Sequence, residues 1–210
     1  MSWKKPTAGI VLAAGLSKRF GLPKQLLKLG GITLIERVLG AALSSRLDRI
    51  ILILGHHSKA ILEQIVDCRA DPRLSIGINT AYRNGMSHSL RLGLEMARAD
   101  FPSVMFLLAD QPLVDADIID WLLECFRSSD KDICVPVCDG RRRNPTIFTR
   151  RFYSRILKIQ GDTGAREIIR SHPESVQAVE MDDPLRFFDI DTPADLDKLK
   201  SLVPGFGSTE

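Results

Sequence analysis

The chain has 210 residues, 44% of them hydrophobic and 26% charged, with a formal net charge of +3. That is enough apolar material for one substantial core, and a charge too small to imply nucleic-acid binding by electrostatics alone. No apolar run approaches the length of a membrane span, and residues 1–7 lack the apolar stretch of a secretory signal, so the expectation is a cytoplasmic protein with no nucleic-acid or membrane partner. The cysteines Cys68, Cys125, Cys134 and Cys138 form no Cys-x-x-Cys pair and have no histidine nearby, which reads as buried or half-buried reduced thiols.

In chain order, apolar runs at 9–13, 49–54, 74–78, 103–108 and 133–137 read as strands. Between them 33–43, 58–66, 87–97 and 115–126 carry helical patterns, the first with the stripe Leu34, Ile35, Val38 and Leu39. Such alternation predicts a three-layer α/β fold, with a mostly parallel twisted sheet of Rossmann-like kind and helices on both faces. Right-handed crossovers put every strand-to-helix loop on one edge. After residue 137 the rhythm breaks: 139–144 is an arginine-rich loop, 146–148 a short strand, and 152–157 and 165–170 helices. The chain then returns through extended segments at 176–180 and 187–190 to a helix over 193–202, with Thr192 as its N-cap and Pro193 at its first position. Residues 1–203 read as one domain and 204–210 as a flexible tail.

The strand at 9–13 runs into a small-residue loop, Ala13-Ala14-Gly15, followed by Lys18, Arg19 and Lys24. Backbone N–H groups and fixed positive charges at a strand's C-terminal end suit a polyphosphate. The loop lacks the Gly-Lys-Ser/Thr of a Walker A loop and the spacing of the Rossmann dinucleotide fingerprint. Asp110, in Ala109-Asp110-Gln111-Pro112, follows a central strand, and an unpaired carboxylate there invites a hard cation such as Mg²⁺. The competing role, N-cap of the next helix, can fall to Asp115. In Asp189-Ile190-Asp191 the alternation of an extended chain sends both carboxylates to one side. Asp191 then reads either as a second metal ligand or as a charge at the start of the last helix, with Asp189 in support. Asn79 and the run Asn84-Gly85-Met86-Ser87-His88-Ser89 offer donors for a base, ribose or phosphate, although Ser87 would serve equally as a helix cap. His56 and His57 adjoin each other, and neighbours in extended chain point apart, so a metal pair is not expected of them.

Taken in order, Leu12-Ala13-Ala14-Gly15-x-Ser17-x-Arg19-x-Gly21-x-Pro23-Lys24, Gly85-Met86-Ser87-x-Ser89-Leu90, Asp110-Gln111-Pro112, Asn144-Pro145-x-x-Phe148, Gly161-Asp162-x-Gly164-Ala165-Arg166 and Asp189-Ile190-Asp191-Thr192-Pro193 resemble the motifs of the MobA-like nucleotidyltransferases, most closely the molybdenum cofactor cytidylyltransferase branch. The resemblance spans about residues 9–200. It implies a GT-A-like nucleotidyltransferase fold with a nucleotide-binding part at about 8–137 and an acceptor-binding part at about 138–200. Arg19, Lys24 and Asp110 would be catalytic. Leu12, Ala13, Ala14, Gly15, Arg19, Lys24, Asn79, Gly85, Ser87 and Ser89 would bind the nucleotide. Gln111, Arg142, Asn144 and Arg166 would bind the acceptor, and Asp110 and Asp191 would hold Mg²⁺, with Mn²⁺ as an alternative ion. Ala13-Ala14 stands where guanylyl-transferring relatives show a second glycine, which points to cytidine selection. Phe20 replaces a common methionine, Ala109 a common glycine before the aspartate, and Arg143 a common glycine before Asn-Pro.

The expected reaction is transfer of CMP from CTP to the phosphate of the molybdenum–pterin cofactor, with release of pyrophosphate and a molybdoenzyme as the downstream partner. GTP as donor, a sugar or polyol phosphate as acceptor, and a non-catalytic accessory role in molybdoenzyme assembly are the competing readings. A phosphate monoester is already ionised at neutral pH, its second pKa lying near ~6. No general base is then required, and catalysis reduces to positioning plus electrostatics.

Overall fold

Alternation along each central strand decides which residues face which helical layer. In the computed structural model, which describes residues 6–17, 19–203 and 205–206, the elements follow in chain order. They are β1 (Thr7–Ala13), β2 (Lys28–Leu29), β3 (Ile32–Thr33), α1 (Leu34–Ser44), β4 (Arg49–Leu54), α2 (Ser58–Gln64), β5 (Leu74–Ile78), α3 (Met86–Ala97), β6 (Ser103–Leu108), α4 (Ala116–Ser128), β7 (Ile133–Cys138), β8 (Arg141–Arg142), β9 (Thr146–Thr149), α5 (Tyr153–Ile156), α6 (Arg166–Ser171), β10 (Val176–Glu180) and α7 (Pro193–Leu202). The main sheet runs β10-β7-β9-β6-β1-β4-β5, with β8 paired on β7. Strands β1, β4, β5 and β6 are parallel, β10 is parallel to β7, and β9 alone on the main path runs antiparallel to both its neighbours.

Val11, Leu52, Leu54, Met105 and Leu107 pack against α1 and α4 through Ile35, Leu39, Ile119 and Leu123. Ile10, Ile51, Ile53, Val104 and Phe106 point to the opposite face, where Leu90 and Leu94 of α3, Phe152 beside α5 and Ile169 of α6 cover them. A three-layer, mostly parallel sheet was expected, and it is found. The caps follow the sequence signals. Thr33 and Glu36 form a capping box on α1. Asp115 caps α4 by accepting from Ile118 N–H, which leaves Asp110 free of that duty. Thr192 caps α7, with Pro193 at its first position. The cysteines are free thiols, Cys134 and Cys138 buried and Cys68 and Cys125 half-buried; burial pushes the Cys134 thiol up to about 12.

Of the two extended segments expected on the return, 176–180 joins the sheet as β10 and 187–190 does not. At 187–190 the chain leaves a 3-10 turn, Pro184–Phe187, and stays extended without joining the sheet. Asp183 accepts from Leu185 N–H and Pro184 opens the turn, so the local signal is for a cap rather than a ladder. The β2–β3 hairpin was not anticipated. Its turn residues Gly30 and Gly31 both have positive φ, at 56° and 79°, as the two-residue turn whose twist matches that of the paired strands requires. Lys18 and most of the expected tail lie outside the described residues.

A third apolar cluster decides where the site residues sit. Leu29, Leu34, Ile190 and Leu199 are fully buried together, with Phe20, Leu27, Leu113 and Phe188 packed around them. The cluster binds the hairpin, α7 and the 187–191 segment beneath the loop that follows β1. Truncating one of its central residues removes contacts that only this satellite core supplies. Leu199→Ala should lower the unfolding free energy by about 2–5 kcal/mol in a urea titration. A loss under about 1 kcal/mol would mean that α7 does not anchor the segment carrying Asp191.

Candidate active site

Three loops leave the C-terminal edge of the sheet close together, because β6, β1 and β4 are adjacent and parallel. The loop after β1 is shaped by Ser17, whose φ of 50° turns the chain back. Phe20 N–H donates to Ser17 O at 2.9 Å, and Lys24 N–H donates to the Ser17 hydroxyl at 3.1 Å. Beneath it Gln25, almost wholly buried, donates through Nε2 to Ala13 O at 3.0 Å. The residue that fixes the loop was therefore missed in the sequence, where only its position beside Lys24 hinted at it.

The ammonium of Lys24 is held by Asp110 Oδ2 at 2.7 Å, the Ile190 carbonyl at 3.0 Å and Asp191 Oδ1 at 3.1 Å. Burial works against its charge, but Asp110 and Asp191 outweigh that cost and keep its pKa above the ordinary lysine value. Asp110 has a second oxygen, Oδ1, that is buried and has no hydrogen-bond partner among the described residues. Such an atom is costly unless a donor or cation meets it. Hard oxygens from Asp110 and Asp191 around one positive charge form the donor set that a divalent ion of the Mg²⁺ or Mn²⁺ kind takes. Among the described residues, no group of three or more His, Cys, Asp or Glu side chains could hold an ion unaided.

These groups line a cavity of about 740 Å³. Leu12, Ala14, Gly15, Arg19, Lys24, Gly85, Ser89, Asp110 and Asp191 all border it, and Arg19 is exposed there. Ala13 does not border it, because its side chain faces the α1–α4 core. Asn79 and Ser87 lie behind the wall. Asn79 donates to the Ser89 hydroxyl at 2.9 Å and accepts from Ala81 N–H at 2.9 Å, so it braces the corner between β5 and α3. Ser87 is fully buried in the first turn of α3, and its hydroxyl finds no partner among the described residues. It is not the cap: α3 starts at Met86 with Gly85 as N-cap, and Gly85 offers no side chain.

Asn84 also borders this cavity, as its place in the donor run suggested, together with Tyr82, Arg83 and Asp162, which the sequence did not point to there. The His56 ring lies behind Tyr82, with centroids 5.4 Å apart. His56 and His57 do not point apart as expected. Their ring centroids are 3.7 Å apart, because His57 takes a left-handed conformation with φ of 59° and breaks the extended geometry.

A second cavity of about 360 Å³ collects Gln111, Arg142, Asn144 and Arg166, as expected, together with Arg143, Arg170 and Asp189. Gln111 is buried and donates to the Phe187 carbonyl at 3.4 Å. The two acidic neighbours of Ile190 therefore separate: Asp191 borders the first cavity and Asp189 the second. Alternation along an extended chain was expected to put both on one side, and the structure parts them. Here Ile190 donates to Asp110 O at 3.0 Å and gives its carbonyl to Lys24. Desolvation of the Asp189 carboxyl, with the charges of Asp110 and Asp191 adding to it, pushes its pKa up to about 6. The wall between the cavities is thus made by Asp110-Gln111 on one side and Asp189-Ile190-Asp191 on the other.

The arrangement has counterparts among known proteins. The family model described as the MobA-like NTP transferase domain matches residues 9–176. The purine catabolism protein PucB of Bacillus subtilis (strain 168) is 31% identical over 201 residues, covering 93% of this chain and 96% of that protein. A probable molybdenum cofactor guanylyltransferase of Thermococcus sibiricus is 26% identical, covering 93% of this chain and 98% of its own length. Among solved structures, the Rv0371c homolog from Mycobacterium sp. strain JC1 superposes with a TM-score of 0.81 at 27% identity, covering 95% of this chain and 98% of that one. A cation-lined cavity at the sheet edge, in a chain matched over this length, identifies it: the protein belongs to the MobA-like NTP transferase family and is a nucleotidyltransferase.

Proposed function

We propose that the protein transfers CMP from CTP to the phosphate of the molybdenum–pterin cofactor and releases pyrophosphate, with Mg²⁺ or Mn²⁺ bound by Asp110 and Asp191. The observation that carries this reading is the shared wall. An acidic, lysine-bridged centre on one side backs directly onto an arginine-lined cavity on the other. Two anionic substrates could meet there with their phosphates on either face of Asp110-Gln111.

The donor lies along the sheet edge in this reading. Its phosphates sit over β1 and β6, near Arg19, Lys24 and Asp110, and its base reaches toward β5 and Tyr82. Asp110 and Asp191 would hold the ion, which would supply charge neutralisation for the phosphates. The residues do the remainder. Arg19 and Lys24 screen the repulsion between attacking phosphate and α-phosphorus and stabilise charge developing on the leaving pyrophosphate. Arg142 and Arg166 orient the acceptor, and Asn144 and Gln111 supply neutral hydrogen-bonding groups beside them. Lys24 must exchange carboxylates for phosphates as the donor enters.

Cytidine selection rests on Ala14. Ala14 borders the cavity, and its methyl packs on Gly55, where an added Cβ would lie 2.9 Å away, so this corner of the wall is closely packed. Ala13 would act only through its backbone. GTP is the second reading, favoured by the similarity to the probable molybdenum cofactor guanylyltransferase of Thermococcus sibiricus, and the same similarity supports the molybdenum-cofactor acceptor.

Asp110→Asn should reduce turnover by about 10²–10³-fold, the scale of one lost electrostatic group in a water-poor site. Its melting temperature should stay close to that of the wild type; near-normal turnover would remove Asp110 from the metal site. With Mg²⁺ present, CTP should displace a fluorescent nucleotide at lower concentration than GTP, and equal displacement would end the case for Ala14. Tyr82→Ala should weaken CTP binding while leaving inorganic triphosphate binding unchanged in calorimetry. Equal losses for both ligands would place the base elsewhere.

A further inference from the structure

Helix α3 starts at the first cavity without a cap of its own, since its N-cap residue is Gly85. A segment 76 residues away supplies one. Met86 N–H donates to Asp162 Oδ1 at 3.2 Å, and Ser87 N–H donates to the Gly161 carbonyl at 3.2 Å. Two of the donors that every helix leaves open at its start are thereby met from outside the helix. The approach is close. A Cβ on Gly85 would lie 2.5 Å from Gly161 C and O and 2.8 Å from Asp162 N, and Gly85 itself has φ of +100°. Only glycine lets the two backbones meet in this way.

The segment that provides the cap then enters the other cavity. Asp162 borders the first cavity with Gly85, while α6, four residues beyond it, presents Arg166 and Arg170 to the second. Thr163 closes the turn by donating its hydroxyl to Gln160 O at 2.5 Å, and Gly164 leaves contact space for Met86 Sδ, 3.7 Å from where a Cβ would stand. Arg166 follows the cap at Asp162 by four positions. Fixing one end constrains the other.

We propose that Asp162 is a positioning residue that couples the two cavities: by capping α3 it holds the turn that sets α6, so that order imposed at the glycine corner by the donor reaches the acceptor arginines. This rests on the assignment of the first cavity to the nucleotide and the second to the acceptor. Asp162 acts through α3 and α6 and takes no part in bond making. Its role gives a physical reason for Asp162 in the run Gly161-Asp162-Thr163-Gly164-Ala165-Arg166.

Hydrogen–deuterium exchange on the full chain tests the idea without any acceptor. In the ligand-free protein, Asp162→Ala should speed exchange in the first turn of α3 and in 165–171 together, by roughly five-fold, the size of one lost cap. Asp162→Asn, which keeps an acceptor oxygen, should restore most of the slow exchange. Mg–CTP should slow exchange at 14–26 in both wild type and Asp162→Ala, but at 165–171 only in the wild type. If 165–171 exchanges equally in wild type and Asp162→Ala while CTP still protects 14–26, the coupling is overturned and the nucleotide assignment stands. If CTP protects neither region in the wild type, the nucleotide assignment falls and the coupling with it. In turnover, the variant should raise the acceptor KM about five-fold with kcat little changed, a split that general loss of stability would not produce.

Discussion

A single ammonium group organises the centre of this protein. Lys24 reaches from the loop after β1 to a carboxylate after β6 and to a carboxylate and a carbonyl before α7. Three segments far apart in sequence are drawn to one point, at the edge where parallel strands release their chain. Two negative charges placed this closely would repel each other without a cation between them. The lysine makes their juxtaposition tolerable, and the same juxtaposition is what a divalent ion with its phosphates would need. Lys24 is therefore both a structural counter-ion and the group that a triphosphate would claim.

The supporting layers are less conspicuous and more restrictive. Gln25 pins the loop from below by its bond to the Ala13 carbonyl. The satellite cluster around Leu29, Ile190 and Leu199 fixes the 187–191 segment from the side. Gly85 admits the Gly161-Asp162 backbone from the far end. Each support lies outside the sheet, yet each determines where a charge sits over it. The sheet gives the edge; the loops and the third cluster give the site.

The fold class was legible because it depends on local pattern. The continuous apolar runs of β1, β4 and β6 and the apolar stripe on α1 report burial directly, and the caps Asp115 and Thr192 are chemical signals read one residue at a time. The extended reading of 187–190 left open whether the segment joins the sheet, because extended conformation and sheet membership differ by a pairing partner, which no local pattern specifies. The hairpin at Gly30-Gly31 was short enough to be hidden between a 3-10 turn and a helix.

By itself the sequence determined which residue types stand at strand ends: a small-residue loop with basic side chains, an aspartate after β6 and an aspartate before α7. Those choices follow from chain-local chemistry and suffice to name phosphate and metal chemistry. Tertiary structure alone decided that Asp189 and Asp191 part to two cavities, that Ser87 and Asn79 stand behind the wall, and that Asp162 joins the corner at Gly85. The physical reason is that side-chain direction and neighbour identity depend on pairing between distant segments. A carboxylate's role follows from the charges that folding brings to it, and in this chain those charges come from residues scores of positions away.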